Sequence, residues 1–92
     1  MEYLSRYNKE VYKFTARVLM DNGASLRAVS YLKKSIDVYY YDPEVHFMLG
    51  EAYLKTGSIE DARKEYKISN NVSGGYFPAV QKLKQLKDET AE

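Results

Sequence analysis

PEVHFMLGEAYLKTGSIEDARKEYKIS, residues 43–69, carries two apolar stripes separated by a short polar break at residues 55–58. Asp42 and Pro43 open the first stripe as a helix. Asp is a good N-cap, and proline is tolerated at the first helical position because its missing N–H has no partner there. Val45, Leu49, Ala52 and Tyr53 then recur at three- and four-residue steps, which is one face of a helix. Gly57 stops that helix, since glycine reaches the left-handed conformation of a C′ position without a Cβ clash. Ser58 and Asp61 have the spacing of a capping box, with Asp in place of the usual Glu or Gln. Ile59, Ala62 and Tyr66 mark the buried stripe of the second helix. Gly50 breaks the local rule, because glycine inside a helix costs about 1 kcal/mol relative to alanine. Close packing explains it: a second helix approaches at Gly50, and Ala62 is the small residue expected to meet it.

A hairpin of this kind calls for a search for internal repetition. Displacing the sequence by 34 residues places Ala16 on Gly50, Leu19 on Tyr53, Gly23 on Gly57, Ala28 on Ala62, Leu32 on Tyr66 and Ser35 on Ser69. The period and the residue types resemble the tetratricopeptide repeat. That family places Leu-Gly, Tyr, a turn Gly, Ala, an aromatic and a small residue where this chain has Leu49-Gly50, Tyr53, Gly57, Ala62, Tyr66 and Ser69. The first copy supplies Ala16, Leu19, Gly23, Ala28, Leu32 and Ser35. Tyr12 and His46 stand at the family's Trp, Thr15-Ala16 replaces Leu-Gly in the first copy, and the closing Pro is absent. The resemblance implies an all-α fold of five helices, antiparallel hairpins stacked as a short right-handed solenoid. It divides a single domain, residues 1–92, into repeat one at about 9–42, repeat two at about 43–76 and a capping helix at about 77–90. The backbones should approach most closely at Ala16/Ala28 and Gly50/Ala62.

The remaining helices follow from the same periodicity. Residues 2–22 read as one helix with a stripe of Leu4, Tyr7, Val11, Phe14, Thr15, Val18 and Leu19. It starts earlier than a repeat helix requires, so residues 3–8 are free to cover the end of the stack or meet a partner. Residues 25–41 read as the second helix, with Leu26, Ala28, Val29, Leu32, Ser35, Ile36 and Tyr39 on its apolar face. Three consecutive helical tyrosines, Tyr39 to Tyr41, span about 200°, so at least one, Tyr40 or Tyr41, is expected to be partly exposed. Residues 70–75, Asn-Asn-Val-Ser-Gly-Gly, read as a loop. Residues 78–90 read as a fifth helix with a narrow stripe of Ala79, Val80, Leu83 and Leu86. Lys84 and Lys87 fall where repeat two has Gly50 and Tyr53, so this helix is a solvating cap, and residues 88–92 are expected to fray.

Composition excludes several classes of function. At 92 residues there is one domain at most. A net charge of +1 gives no overall field to gather nucleic acid. Without cysteine there are no disulfides, thiolate chemistry or Cys-zinc sites. No apolar run approaches the ~20 residues of a membrane span. The charged start MEYLSRYNKE has no signal-peptide core, so a cytoplasmic location is expected. His46, the single histidine, falls at a packing position and reads as a half-buried structural residue; with no second soft ligand, no metal or other cofactor is expected. Glu60-Asp61 and Asp88-Glu89 are adjacent pairs on different helix faces, not acid–base dyads. No catalytic constellation remains, and the chain reads as a non-enzyme.

In tetratricopeptide arrays the first helix of each repeat lines a concave groove. Carried over residue by residue, that face comprises Lys13, Arg17 and Met20 from repeat one, Glu44, Phe47, Glu51 and Leu54 from repeat two, and Lys82 with Gln81 and Gln85 from the cap. Phe47 and Leu54 lie off the packing stripe and are read as exposed anchors for an apolar side chain. Lys13 and Arg17, one turn apart, are placed to hold a carboxylate. Some family members clamp the terminal carboxylate of chaperones. Lys13 fits that pattern, but Arg17 and Met48 stand where asparagines are required and Pro78 where a lysine is, so that ligand is not predicted. The expected function is a protein–protein adaptor or scaffold that takes a peptide or helix in the groove. The alternative is structural: self-association as a homo-oligomer, or a piece of a longer array, because two repeats are fewer than the three such stacks usually need. Nucleic-acid binding through Lys82, Lys84 and Lys87 with Lys33 and Lys34 is the weakest reading, since acids are interspersed among them.

Overall fold

Five helices follow one another: α1 (Glu2–Asp21), α2 (Ser25–Val38), α3 (Pro43–Lys55), α4 (Ile59–Ser73) and α5 (Phe77–Thr90). The structure, a computed structural model, describes the backbone of residues 2–90 and the side chains of residues 8–86, with no strand among them. Each helix packs on the next, and α1 also touches α3. The fold is all-α and repeat-like.

The two hairpins close by the same hydrogen bonds. At the end of α1 the Gly23 N–H donates to the Met20 carbonyl (3.0 Å) and the Ala24 N–H to the Leu19 carbonyl (2.8 Å). Thirty-four residues on, the Gly57 N–H donates to Leu54 (3.1 Å) and the Ser58 N–H to Tyr53 (2.8 Å). Both are Schellman motifs, and both turn on a left-handed glycine, with φ of 80° at Gly23 and 86° at Gly57. A second pair of equivalent bonds bolts the hairpin arms together. Ser35 Oγ donates to the Lys9 carbonyl (3.1 Å), and Ser69 Oγ to the Pro43 carbonyl (2.7 Å). The 34-residue repetition is therefore present in the bonding as well as in the residue types.

The core is two connected clusters. Ala16, Ala28, Leu32, Val45, Met48 and Leu49 fill the space between the first hairpin and α3. Ala62, Tyr66, Ala79 and Leu86 fill that between α4 and α5, with Phe47, Leu54 and Leu83 against them, and Tyr53 touches both clusters. Ala16, Ala28, Gly50 and Ala62 are all buried, as the stacking requires.

Several local expectations are corrected. The residue against Gly50 is Tyr66, not Ala62: a Cβ added at Gly50 would lie 2.5 Å from Tyr66 Cε1. Helix α2 stops at Val38, and Tyr39 is extended at φ −150°, ψ 109°. Tyr39, Tyr40 and Tyr41 are consequently all exposed, stacked edge-to-face on one another, and the helical-wheel argument does not apply to them. Residues 70–73 are helical: α4 runs to Ser73, and the left-handed turn comes at Gly74. Ser58 makes no side-chain capping bond, so the capping box does not form. That serine already ends the α3 turn through its N–H, and its carbonyl accepts from Ala62 (3.0 Å). Val11, Phe14 and Val18 of the α1 stripe are exposed, as are Leu26 and Ile59. Apolar periodicity defines a face but not whether anything covers it. Leu4, Tyr7, Lys87 and the expected fraying at 88–92 lie outside the described side chains.

Candidate protein-binding groove

Asp42 caps α3 by accepting the Glu44 N–H (3.0 Å), which turns both carboxylates toward α1. Lys13 meets them there, with Nζ 3.0 Å from Asp42 Oδ2 and 2.9 Å from Glu44 Oε1. Arg17, one turn along α1, pairs with the other Glu44 oxygen and reaches Met48 Sδ at 3.8 Å. Burial alone would pull the Lys13 ammonium down, but its hydrogen bonds to Glu44 and Asp42 outweigh that and hold it above 10.5. The Lys13 hydrogen bond, against partial desolvation and with help from Arg17, holds the Glu44 carboxyl below 4.5. Further along the same face, Lys82 of α5 stands 3.7 Å from Glu51 of α3. The first helices of the two hairpins and the cap are thus joined by two clusters of ion pairs.

Of the groove residues expected from the sequence, Lys13, Arg17 and Glu44 come together, and Glu51 and Lys82 form a second pair. Lys13 and Arg17 do hold a carboxylate, but it belongs to the chain itself. Phe47 and Leu54 are corrected: neither is an exposed anchor. Both are half-buried on the Tyr66–Ala79–Leu86 cluster, and the Phe47 ring lies 5.5 Å from that of Tyr66 and 5.8 Å from that of Tyr76. They were read as exposed because α5 is what covers them, and its position is set by tertiary packing. Met20 is half-buried against the first cluster and lines a surface depression with Gly23, Leu26 and Lys55. A shallow depression on the groove side is lined by Glu10, Lys13, Phe14, Arg17 and Glu44.

Sequence reasoning missed Asp42 and Tyr76 as members of this face. Asp42 carried a signal, since an N-cap carboxylate one repeat boundary away from Lys13 has a free oxygen to offer. The Tyr76 hydroxyl is pushed up by burial and then by the Glu44 and Asp42 charges.

His46 is fully rather than half buried, and it serves structure. Its Nδ1 lies 2.8 Å from Glu65 Oε1 and its Nε2 2.7 Å from the Tyr40 carbonyl. Both partners are acceptors, so both bonds form when the ring carries a proton on each nitrogen. The described residues include no cluster of potential metal ligands and no helix long and apolar enough to cross a membrane. No protein-family model matches the chain, and no characterised protein is significantly similar to it.

Proposed function

We propose that this chain is a non-catalytic, tetratricopeptide-like interaction module that takes a peptide or helix of another protein along the shared face of α1, α3 and α5, and that it works in the cytoplasm. The observation that carries the reading is the pair of ion clusters, Lys13–Glu44–Arg17 and Glu51–Lys82, which tie those three helices into one charged face. Arg17, Glu44, Glu51 and Lys82 are each a third to a half exposed. Ion pairs at such exposure contribute about 0–1 kcal/mol, so a partner's charges can replace them at small cost. With Phe47 and Leu54 half-buried on the second core cluster, the favoured ligand is a charged segment carrying both signs.

The test is quantitative capture of partners from an extract of the source cells. Proteins enriched by the wild-type chain should fall at least ten-fold with Arg17→Glu/Lys82→Glu and persist with Lys64→Glu, an exposed change on α4 outside the face. A capture profile that ignores the double reversal, with helicity intact, refutes the groove.

A further inference from the structure

Asn22 and Gly23 form the one Asn-Gly pair of the chain, and they sit at the exposed turn that closes the first hairpin. Glycine has no Cβ to shield its nitrogen, so that nitrogen can reach the carboxamide carbon of the residue before it. In the closed turn both reacting groups are occupied. Asn22 Nδ2 donates to the Val18 carbonyl (2.9 Å), and the Gly23 N–H donates to the Met20 carbonyl (3.0 Å). The second hairpin repeats the arrangement without the amide. Thr56 and Ala52 hold the register positions of Asn22 and Val18. Thr56 Oγ1 donates to the Ala52 carbonyl (3.2 Å), and the Gly57 N–H donates to the Leu54 carbonyl (3.1 Å). A hydroxyl therefore serves this position as an amide does, and only the first turn carries a side chain that can react with its own backbone.

We propose that Asn22 is a site of spontaneous, irreversible deamidation held in check by the closed turn. Helix ends open locally at low cost, and opening here frees both groups at once. The Gly23 nitrogen then gives up its proton and attacks Asn22 Cγ. The new N–Cγ bond closes a cyclic succinimide, the Cγ–Nδ2 bond breaks, and Nδ2 leaves as ammonia with that proton. Water adds to either ring carbonyl and breaks its bond to the Gly23 nitrogen. The product is aspartate, or isoaspartate in which the main chain runs through the side-chain carbon. Neither restores the turn. A carboxylate only accepts, so it cannot donate to the Val18 carbonyl as Nδ2 does. Its charge joins Asp21 at the negative end of α1, where the last turn holds no basic residue. Isoaspartate also lengthens the main chain and displaces Gly23 and Ala24 from the carbonyls of Met20 and Leu19. The reaction therefore loosens the turn that restrains it. Asn8, Asn70 and Asn71 precede Lys9, Asn71 and Val72 and lie inside α1 and α4, so they are spared.

The proposal does not rest on peptide binding. The test is to incubate the intact chain in mildly alkaline buffer, with and without denaturing urea, and to follow it by intact mass and peptide mapping. Conversion should begin at Asn22 in both buffers and run at least about ten-fold faster in urea, because unfolding releases both groups from their carbonyls. Asn22→Thr, which copies the side-chain bond of Thr56, should abolish that conversion and keep the wild-type urea midpoint. Asn22→Asp, the product with an unaltered main chain, should lower the midpoint. Equal rates in the two buffers, conversion first at another asparagine, or a wild-type midpoint for Asn22→Asp overturns the proposal.

Discussion

Replacing Gly50 with alanine should destabilise this protein, although in most helices the change is favourable. Helix propensity alone would add about 1 kcal/mol of stability. Against it stands the ring of Tyr66. The new methyl would sit 2.5, 2.7 and 2.8 Å from three of its carbons. Ordinary carbon–carbon contact is about 3.5–4.0 Å, so the ring must retreat by roughly 1 Å. It has no room to do so, because Tyr66 is fully buried and Phe47 lies against it. Overpacking of this kind costs about 1–3 kcal/mol, and with three atoms involved the upper part of that range applies, for a net loss of about 1–2 kcal/mol. In a domain of this size that lowers the melting temperature by roughly 5–15 °C. The first hairpin shows the remedy: Ala16 and Leu32 hold the positions of Gly50 and Tyr66, and both are buried. Gly50→Ala/Tyr66→Leu should then recover stability relative to the sum of the single changes, with a coupling of at least about 1 kcal/mol. Urea denaturation followed by far-UV circular dichroism measures all four corners of the cycle. A neutral or stabilising Gly50→Ala, or effects that simply add, would refute the reasoning.

Tyr66→Phe should raise stability by about 1 kcal/mol in the same assay, since the Tyr66 hydroxyl is buried without a hydrogen-bond partner; a loss would mean the hydroxyl is satisfied. Ser35→Ala and Ser69→Ala should each cost about 1 kcal/mol and add independently, because each removes one of the two equivalent bolts between hairpin arms. Glu44, held below 4.5 by Lys13 and Arg17, contributes stability that is present above that value and is lost as pH falls through its lower folded-state pKa. The gap in denaturation midpoint between wild type and Glu44→Gln should therefore close on acidification below about pH 4. Lys13, held above 10.5, acts at the other extreme: its contribution is complete below that value and disappears as pH rises through the folded-state pKa, so Lys13→Met should lose its penalty only in strong alkali.

What the sequence conveyed was governed by distance along the chain. Gly23 and Gly57 end their helices through bonds within six residues, and Asp42-Pro43 starts α3 through its immediate neighbours, so these boundaries are legible locally. The 34-residue repetition then extended local information to the stacking of hairpins. Features fixed by a third element were not legible. Phe47 and Leu54 fall on a face that a two-helix hairpin leaves open, and only α5 closes it. Lys13 and Arg17 do meet a carboxylate, but nothing in α1 indicates that it is Glu44 of the same chain. The α1 stripe failed in the opposite sense: its periodicity is real, yet the element that would bury Val11, Phe14 and Val18 is not within the described chain.

Residues 39–42 are the irregular segment between the hairpins, and besides the stacking of their rings they are held by directional polar bonds. The Tyr39 N–H is held by the Ser35 carbonyl, the Tyr40 carbonyl by His46, and the Asp42 carboxylate by Lys13 and the Glu44 N–H. The pitch of one hairpin on the next is thus held by directional bonds at a joint as well as by the apolar cluster between the first hairpin and α3. A one-residue insertion there would swing the second hairpin about the first while leaving every helix intact.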